Sequence, residues 1–113
     1  MKYTELGNTG IKVSQICVGG MSFGRVFENG HQWTLNEEDT EKMIAHALEL
    51  GVNFIDTANV YARGTSEEYI GKALKRLGVA REKVVIATKV FFNLTTEEHL
   101  TKKAILAEID GSL

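Results

Sequence analysis

The sequence predicts an α/β fold: an N-terminal β-hairpin followed by three βα units on a parallel sheet. Short apolar segments centred near residues 17, 55 and 87 alternate with three stretches of helical period. A strand–helix–strand order joins neighbouring strands in parallel, through right-handed crossovers. The last of these segments, residues 84–89, is apolar without alternation until its final two residues, as fits a sheet covered on both faces. A chain of 113 residues amounts to one domain. Residues 1–13 form its hairpin and residues 14–113 its three βα units.

Each element has a local cause. Residues 3–6 and 11–13 flank Gly7, Asn8, Thr9 and Gly10, and glycine and asparagine tolerate the positive φ of a tight turn. Residues 15–19 read as a short apolar strand with Cys17 inside it as a small buried hydrophobe. Residues 20–35 have no clear period, and a loop of that length in a compact domain is usually functional or disordered. Asn36 opens the first helix, with Glu37, Glu38 and Asp39 suited to the positive end of its dipole. Met43, Ile44, Ala47 and Leu48 make its buried stripe, and Gly51 ends it. Residues 53–57 form the second strand. Thr65 and Glu68 have capping-box spacing ahead of Ile70, Ala73, Leu74 and Leu77. The third helix begins near Thr101 and turns Ile105, Leu106 and Ile109 inward. Leu113 extends that stripe to the last residue, and three parallel strands leave two open edges. The chain is therefore expected to be cut from a larger sheet and to self-associate through those edges.

Composition removes several function classes. Apolar residues make up 43% and charged residues 25%, the balance of a folded globular chain. The apolar runs are too short to span a bilayer. A net charge of −2 with no basic cluster gives no general pull on nucleic acid or a membrane surface. A single cysteine forms no internal disulfide, and the first residues lack a secretory apolar stretch, so a cytoplasmic location is expected.

Two polar residues, Asp56 and Lys89, end apolar strands. In parallel α/β sheets ligands bind at the carboxyl ends of the strands, so both groups face one rim. Tyr61 lies five residues after Asp56, in the loop over that rim. A tyrosine, with an ordinary pKa near 10, works as an acid at neutral pH once a cation stabilises its phenolate. A lysine does that, and an aspartate keeps the lysine charged and oriented. On spacing alone, strand-end caps or a surface pair are the better explanation of Asp56 and Lys89. The glycines of the first loop do not form G-x-G-x-x-G and no helix follows them directly, which disfavours a Rossmann phosphate loop. No His, Cys or Glu group has metal-ligand spacing. Lys72, Lys75 and Arg76 read as the solvated face of the second helix.

The string Gly51-Val52-Asn53-Phe54-Ile55-Asp56-Thr57-Ala58-Asn59-Val60-Tyr61 resembles the signature segment of the aldo-keto reductases. Ser66-Glu67-Glu68, Ile86-Ala87-Thr88-Lys89-Val90 and Gly19-Gly20-Met21-Ser22-Phe23-Gly24 agree with that family in order and spacing. Trp33-Thr34-Leu35 is most similar to its bacterial and fungal aryl-alcohol-dehydrogenase-like branch. The resemblance covers essentially the whole chain and implies part of an (α/β)8 TIM barrel that reduces small carbonyl substrates with NADP(H). It implies Tyr61 as general acid, Lys89 as its charged partner and Asp56 as the residue pairing with Lys89. It further implies Gly20, Met21 and Asp56 as cofactor contacts. Around the first loop, Phe23, Phe27 and Trp33 are candidates for an apolar substrate wall, and His31 for a substrate contact.

The departures from the family set an expectation of their own. The family's catalytic histidine follows a fourth strand that this chain does not reach, and His31, His46 and His99 are not substitutes for it. The segments that hold the cofactor phosphates belong to the last barrel units. Ala62 stands where the family often has glycine. Eight units need roughly 250 residues, so three units alone are expected to be inactive. The alternative is a non-catalytic fragment or interaction module of the same descent.

Overall fold

The turn glycines set up the hairpin. In the computed structural model, which describes residues 1–92 and 97–113, β1 (Tyr3–Glu5) pairs antiparallel with β2 (Lys12–Ser14), Tyr3 opposite Ser14. Asn53 pins this hairpin to the start of the second sheet strand. Its Oδ1 accepts from the Ser14 N–H at 2.7 Å and its Nδ2 donates to the Lys12 carbonyl at 3.0 Å. The Tyr3 hydroxyl donates to the Gly51 carbonyl at 2.6 Å. The hairpin thus sits at the amino end of the sheet and leaves the carboxyl rim open.

The sheet has the predicted order and direction. β3 (Val18–Gly19), β4 (Phe54–Asp56) and β5 (Val85–Ala87) run parallel in the order β3-β4-β5. Gly19 and Ala87 flank Asp56 on either side. The first strand is shorter than residues 15–19. The Gln15 N–H donates back to Lys2 at 2.9 Å, and the Ser14 hydroxyl donates to the Ile16 carbonyl at 2.6 Å. Those residues make the bend out of the hairpin, and Cys17 is exposed rather than buried.

Two helices cover one face of the sheet. α1 (Glu37–Glu49) and α2 (Thr65–Arg76) bring Ile44, Ile70, Ala73 and Leu74 onto Ile55 and Val84, with Val18 and Ile86 alongside. Burying each large aliphatic side chain here is worth about 1.5–3 kcal/mol. Because side chains alternate along a strand, Phe54 and Asp56 face the other way, and both are half-buried. Asn36 caps α1 as predicted, accepting from the Asp39 N–H at 2.9 Å. Met43 lies one position round from Ile44 and is exposed, so it leaves the predicted stripe. Arg76 of α2 binds Glu37 and Glu41 of α1, which ties the two helices along their solvent side.

The other two helix predictions need correcting in part. The capping box of α2 does not form: Gly64 is the cap residue at φ 91, and Thr65 is already helical. Its hydroxyl donates to the Ala62 carbonyl at 2.7 Å and accepts from the Arg25 N–H at 2.8 Å, so it staples two loops. α3 (Lys102–Ser112) starts where predicted, and Thr101 caps it, but it turns Ala104 and Glu108 inward. Ile105, Leu106 and Ile109 are exposed. The buried Glu108 accepts from Asn59 Nδ2 at 2.8 Å, which joins the helix to the loop after β4. Among the described residues, no helix is long and apolar enough to cross a membrane.

Candidate active site

The ladder between β4 and β5 continues past the strand ends, and this brings the rim residues together. The Thr57 N–H donates to Ala87 at 2.8 Å and the Asn59 N–H to Lys89 at 3.2 Å. Lys89 then reaches across to Asp56, with Nζ 2.8 Å from both carboxylate oxygens and 2.7 Å from the Thr57 carbonyl. Its three donors have acceptors in place. Partial burial pulls the Lys89 pKa down, but the Asp56 hydrogen bond and charge, helped by Tyr61, outweigh it. The ammonium is held above its ordinary 10.5.

Tyr61 joins this pair through a strained turn. Lys89 Nζ stands 5.2 Å from the centroid of the Tyr61 ring. Immediately after Tyr61, Ala62 and Arg63 adopt φ 47 and 55, a left-handed conformation that costs an L-residue about 1–2 kcal/mol. Ala62 sits where the resemblance implies glycine, and the backbone there is the kind glycine favours. Gly24 closes over this turn at φ 130, and a Cβ on it would lie 2.3 Å from the Ala62 Cβ. Asp56, Tyr61 and Lys89 are therefore neighbours on one rim. Beside them lies a cavity of about 290 Å3 lined by Asn59, Tyr61, Lys89, Phe91 and Phe92 among others.

The remaining predicted site residues divide. Gly20 is buried beneath α2; its carbonyl accepts from the Ser66 hydroxyl at 2.7 Å. A Cβ there would press on Ile70, Ser66 and Thr57 at 3.1 Å each. Met21 next to it is exposed. Phe23 is only 2% exposed and belongs to the core with Ile44 and Ile70. It has no face to offer a ligand, so it drops out of the predicted substrate wall. His31 and Trp33 stack on each other with centroids 4.5 Å apart, and Trp33 is exposed. His99 stands outside this set, stacked on Phe91 with Nδ1 2.7 Å from the Phe91 carbonyl.

Three supports of the rim were missed by sequence reasoning. Thr57 and Ser66 share a buried hydrogen bond of 2.9 Å that links the end of β4 to α2, and Ser66 in turn donates to the Gly20 carbonyl. The Thr88 hydroxyl donates to Glu67 at 2.6 Å, bracing the residue before Lys89 against α2. Asn59 binds Glu108 as described above. Thr57 and Ser66 stood inside the quoted strings. Nothing in the local pattern marks Glu108, whose partner lies 49 residues away. Among the described residues, no group of three or more His, Cys, Asp or Glu side chains is placed to hold a metal.

Comparison with known proteins agrees with this geometry. Residues 15–113 match the model of the aldo/keto reductase family. The chain is 44% identical over 94 residues to a versiconal hemiacetal acetate reductase of Aspergillus parasiticus, covering 83% of this chain and 27% of that protein. It is 41% identical over 95 residues to the uncharacterized oxidoreductase YrpG of Bacillus subtilis, covering 80% and 27% respectively. Among solved structures, the holo form of the aldo-keto reductase AKR11C1 from Bacillus halodurans superposes with a TM-score of 0.76 at 31% identity. That match covers all of this chain and 35% of the other. The chain thus spans about a quarter to a third of the length of such relatives, in their N-terminal portion. A parallel sheet of βα units with a hairpin at its amino end, matched in sequence over residues 15–113, places this chain in the aldo/keto reductase family.

Proposed function

We propose that this chain supplies the acid half of a carbonyl reductase site, reducing aldehydes or ketones to alcohols with NADP(H). The observation that carries the proposal is the contact chain Asp56–Lys89–Tyr61 at the carboxyl rim. When bound, the reduced nicotinamide supplies hydride to the carbonyl carbon. The protein's own contribution is the proton. Tyr61 donates its phenolic hydrogen to the carbonyl oxygen as negative charge develops there. Lys89 stabilises the phenolate left behind, and Asp56 keeps Lys89 charged and pointed at the ring. The adjoining cavity of about 290 Å3 lies just below the range of small-molecule sites, ~300–1000 Å3. Tyr61 and Lys89 both line that space, which suits a small carbonyl group beside the acid. Gly20 and Met21, on the neighbouring loop, are the residues assigned to the cofactor's ribose side.

The test measures NADPH fluorescence and carbonyl reduction on this chain and on a chimera. In the chimera the chain replaces the matching part of the Aspergillus reductase. The chimera is expected to bind and reduce, and the chain alone to do neither. Tyr61→Phe in the chimera is expected to lower kcat by at least about a hundredfold while leaving NADPH binding intact. A Tyr61→Phe chimera that reduces at the parental rate would remove Tyr61 as the acid. Reduction by the short chain alone would show that self-assembly completes the site.

A further inference from the structure

A second cavity, of about 160 Å3, adjoins the Tyr61 loop and is lined in part by Arg25, Phe27, His31, Thr34, Ala62 and Arg63. The chain as a whole is acidic, with a net charge of −2. This cavity nevertheless gathers two arginines and a histidine, and no carboxylate residue lines it. Among the described residues neither arginine is in an ion pair, whereas Arg76 engages two glutamates. The Arg63 guanidinium lies 4.5 Å over the Phe27 ring. A guanidinium held against a ring keeps its N–H donors available for an anion.

Two further observations point to a ligand. Ala62 and Arg63 hold consecutive left-handed conformations, and backbone strain of that kind concentrates where a site needs a side chain presented. Thr34 also lines the cavity, and its hydroxyl is buried without a hydrogen-bond partner among the described residues. Two guanidinium forks and one unsatisfied hydroxyl want the same thing, which is acceptor oxygens carrying negative charge.

We propose that Arg25, Arg63 and Thr34 form an oxyanion subsite that takes a carboxylate or phosphate group of the carbonyl substrate. The assignment to substrate rests on the reading of Tyr61 as the acid, because Val60 and Ala62 on either side of Tyr61 line the same cavity. The substrate class becomes anionic carbonyl compounds, with the charged group held beside the rim and the carbonyl turned toward Tyr61.

The test follows the arginine Nε–H signals of the isotope-labelled chain by NMR as sulfate is added at low ionic strength. Arg25 and Arg63 are expected to shift saturably, while Arg76 and Arg81 follow general screening only. Arg63→Gln and Arg25→Gln are each expected to weaken sulfate binding about tenfold, and Arg63→Lys to restore it only in part, lacking the fork. Equal movement of all four arginines overturns the subsite, as does parental binding in both Gln variants. Para-carboxybenzaldehyde and its methyl ester then identify the source of the charge. The acid is expected to bind about tenfold or more tightly than the ester, moving Lys89 and Tyr61 together with Arg63. Equal affinities, or displacement of sulfate by NADPH, overturn the assignment to substrate. Shifts at Arg25 and Arg63 with Tyr61 and Lys89 unmoved keep the oxyanion site and reject the reading of Tyr61.

Discussion

Asp56 is the residue on which the rim depends most, because two neighbouring groups respond to its charge. It helps hold the Lys89 pKa above the ordinary 10.5. A raised lysine pKa adds stability that is fully present below about 10.4 and is lost as pH rises through the higher folded value. The same carboxylate also raises the pKa of Cys17, where this disfavours the charged form. Partial burial, then the charge of Asp56, push its thiol above the ordinary 9.0, which slows thiolate chemistry at neutral pH. Asp56→Asn is therefore expected to lower the Lys89 pKa and to flatten the alkaline loss of stability. It is also expected to speed alkylation of Cys17. Lysine-detected NMR titration and iodoacetamide kinetics check the two halves. An unchanged Cys17 rate would separate the thiol from the rim.

At the scale of elements, the loops are held by contacts that reach far along the chain. Gly24 passes so close to the Tyr61 turn that Gly24→Ala would drive a methyl into Ala62 at a backbone conformation L-residues rarely adopt. Overpacking of this kind costs about 1–3 kcal/mol, and the variant's urea midpoint is expected to fall accordingly. A parental midpoint would mean that the first loop does not close over the turn. α3 hangs on the buried pair Asn59–Glu108. Glu108→Ala leaves the Asn59 amide without this acceptor, a loss of about 1–3 kcal/mol, whereas Glu108→Gln keeps an acceptor and is expected to cost less. Thermal unfolding of both variants, beside Leu106→Ala on the exposed face, measures the difference. Equal losses at Glu108 and Leu106 would mean that the pair does not hold the helix. These cases mark where sequence reasoning stopped. The cap of α1 at Asn36 and the start of α3 near Thr101 were legible; the cap of α2 was not, because Thr65 bonds to Ala62 and Arg25 instead.

For the whole molecule, the question is what covers the surfaces the fold leaves exposed. β3 and β5 each pair with β4 alone among the described residues, so each presents one unpaired edge. Ile105, Leu106 and Ile109 are exposed on α3. Unpaired edges and apolar surface together favour association. The isolated chain is expected to sediment as more than a monomer and to bind a hydrophobic dye. A monodisperse, protease-resistant monomer would remove that expectation. The chimera proposed for activity is expected to lose the dye signal, because added strands pair the edges.

By itself the sequence determined the order of elements, the parallel direction of the strands, the Asn36 cap and the strand-end positions of Asp56 and Lys89. Those features depend on period, on turn chemistry and on residues within one or two helical turns of each other. The family likeness was legible for the same reason, since it resides in short contiguous strings. Only the tertiary structure decided that Phe23 belongs to the core, that Cys17 is exposed, which face α3 turns inward, and that Arg25 and Arg63 line one cavity. Each of those outcomes depends on partners distant in the chain, such as Asn59 with Glu108 or Arg25 with Thr65. Spacing along a sequence records what neighbours can do; packing decides which distant groups must share a place.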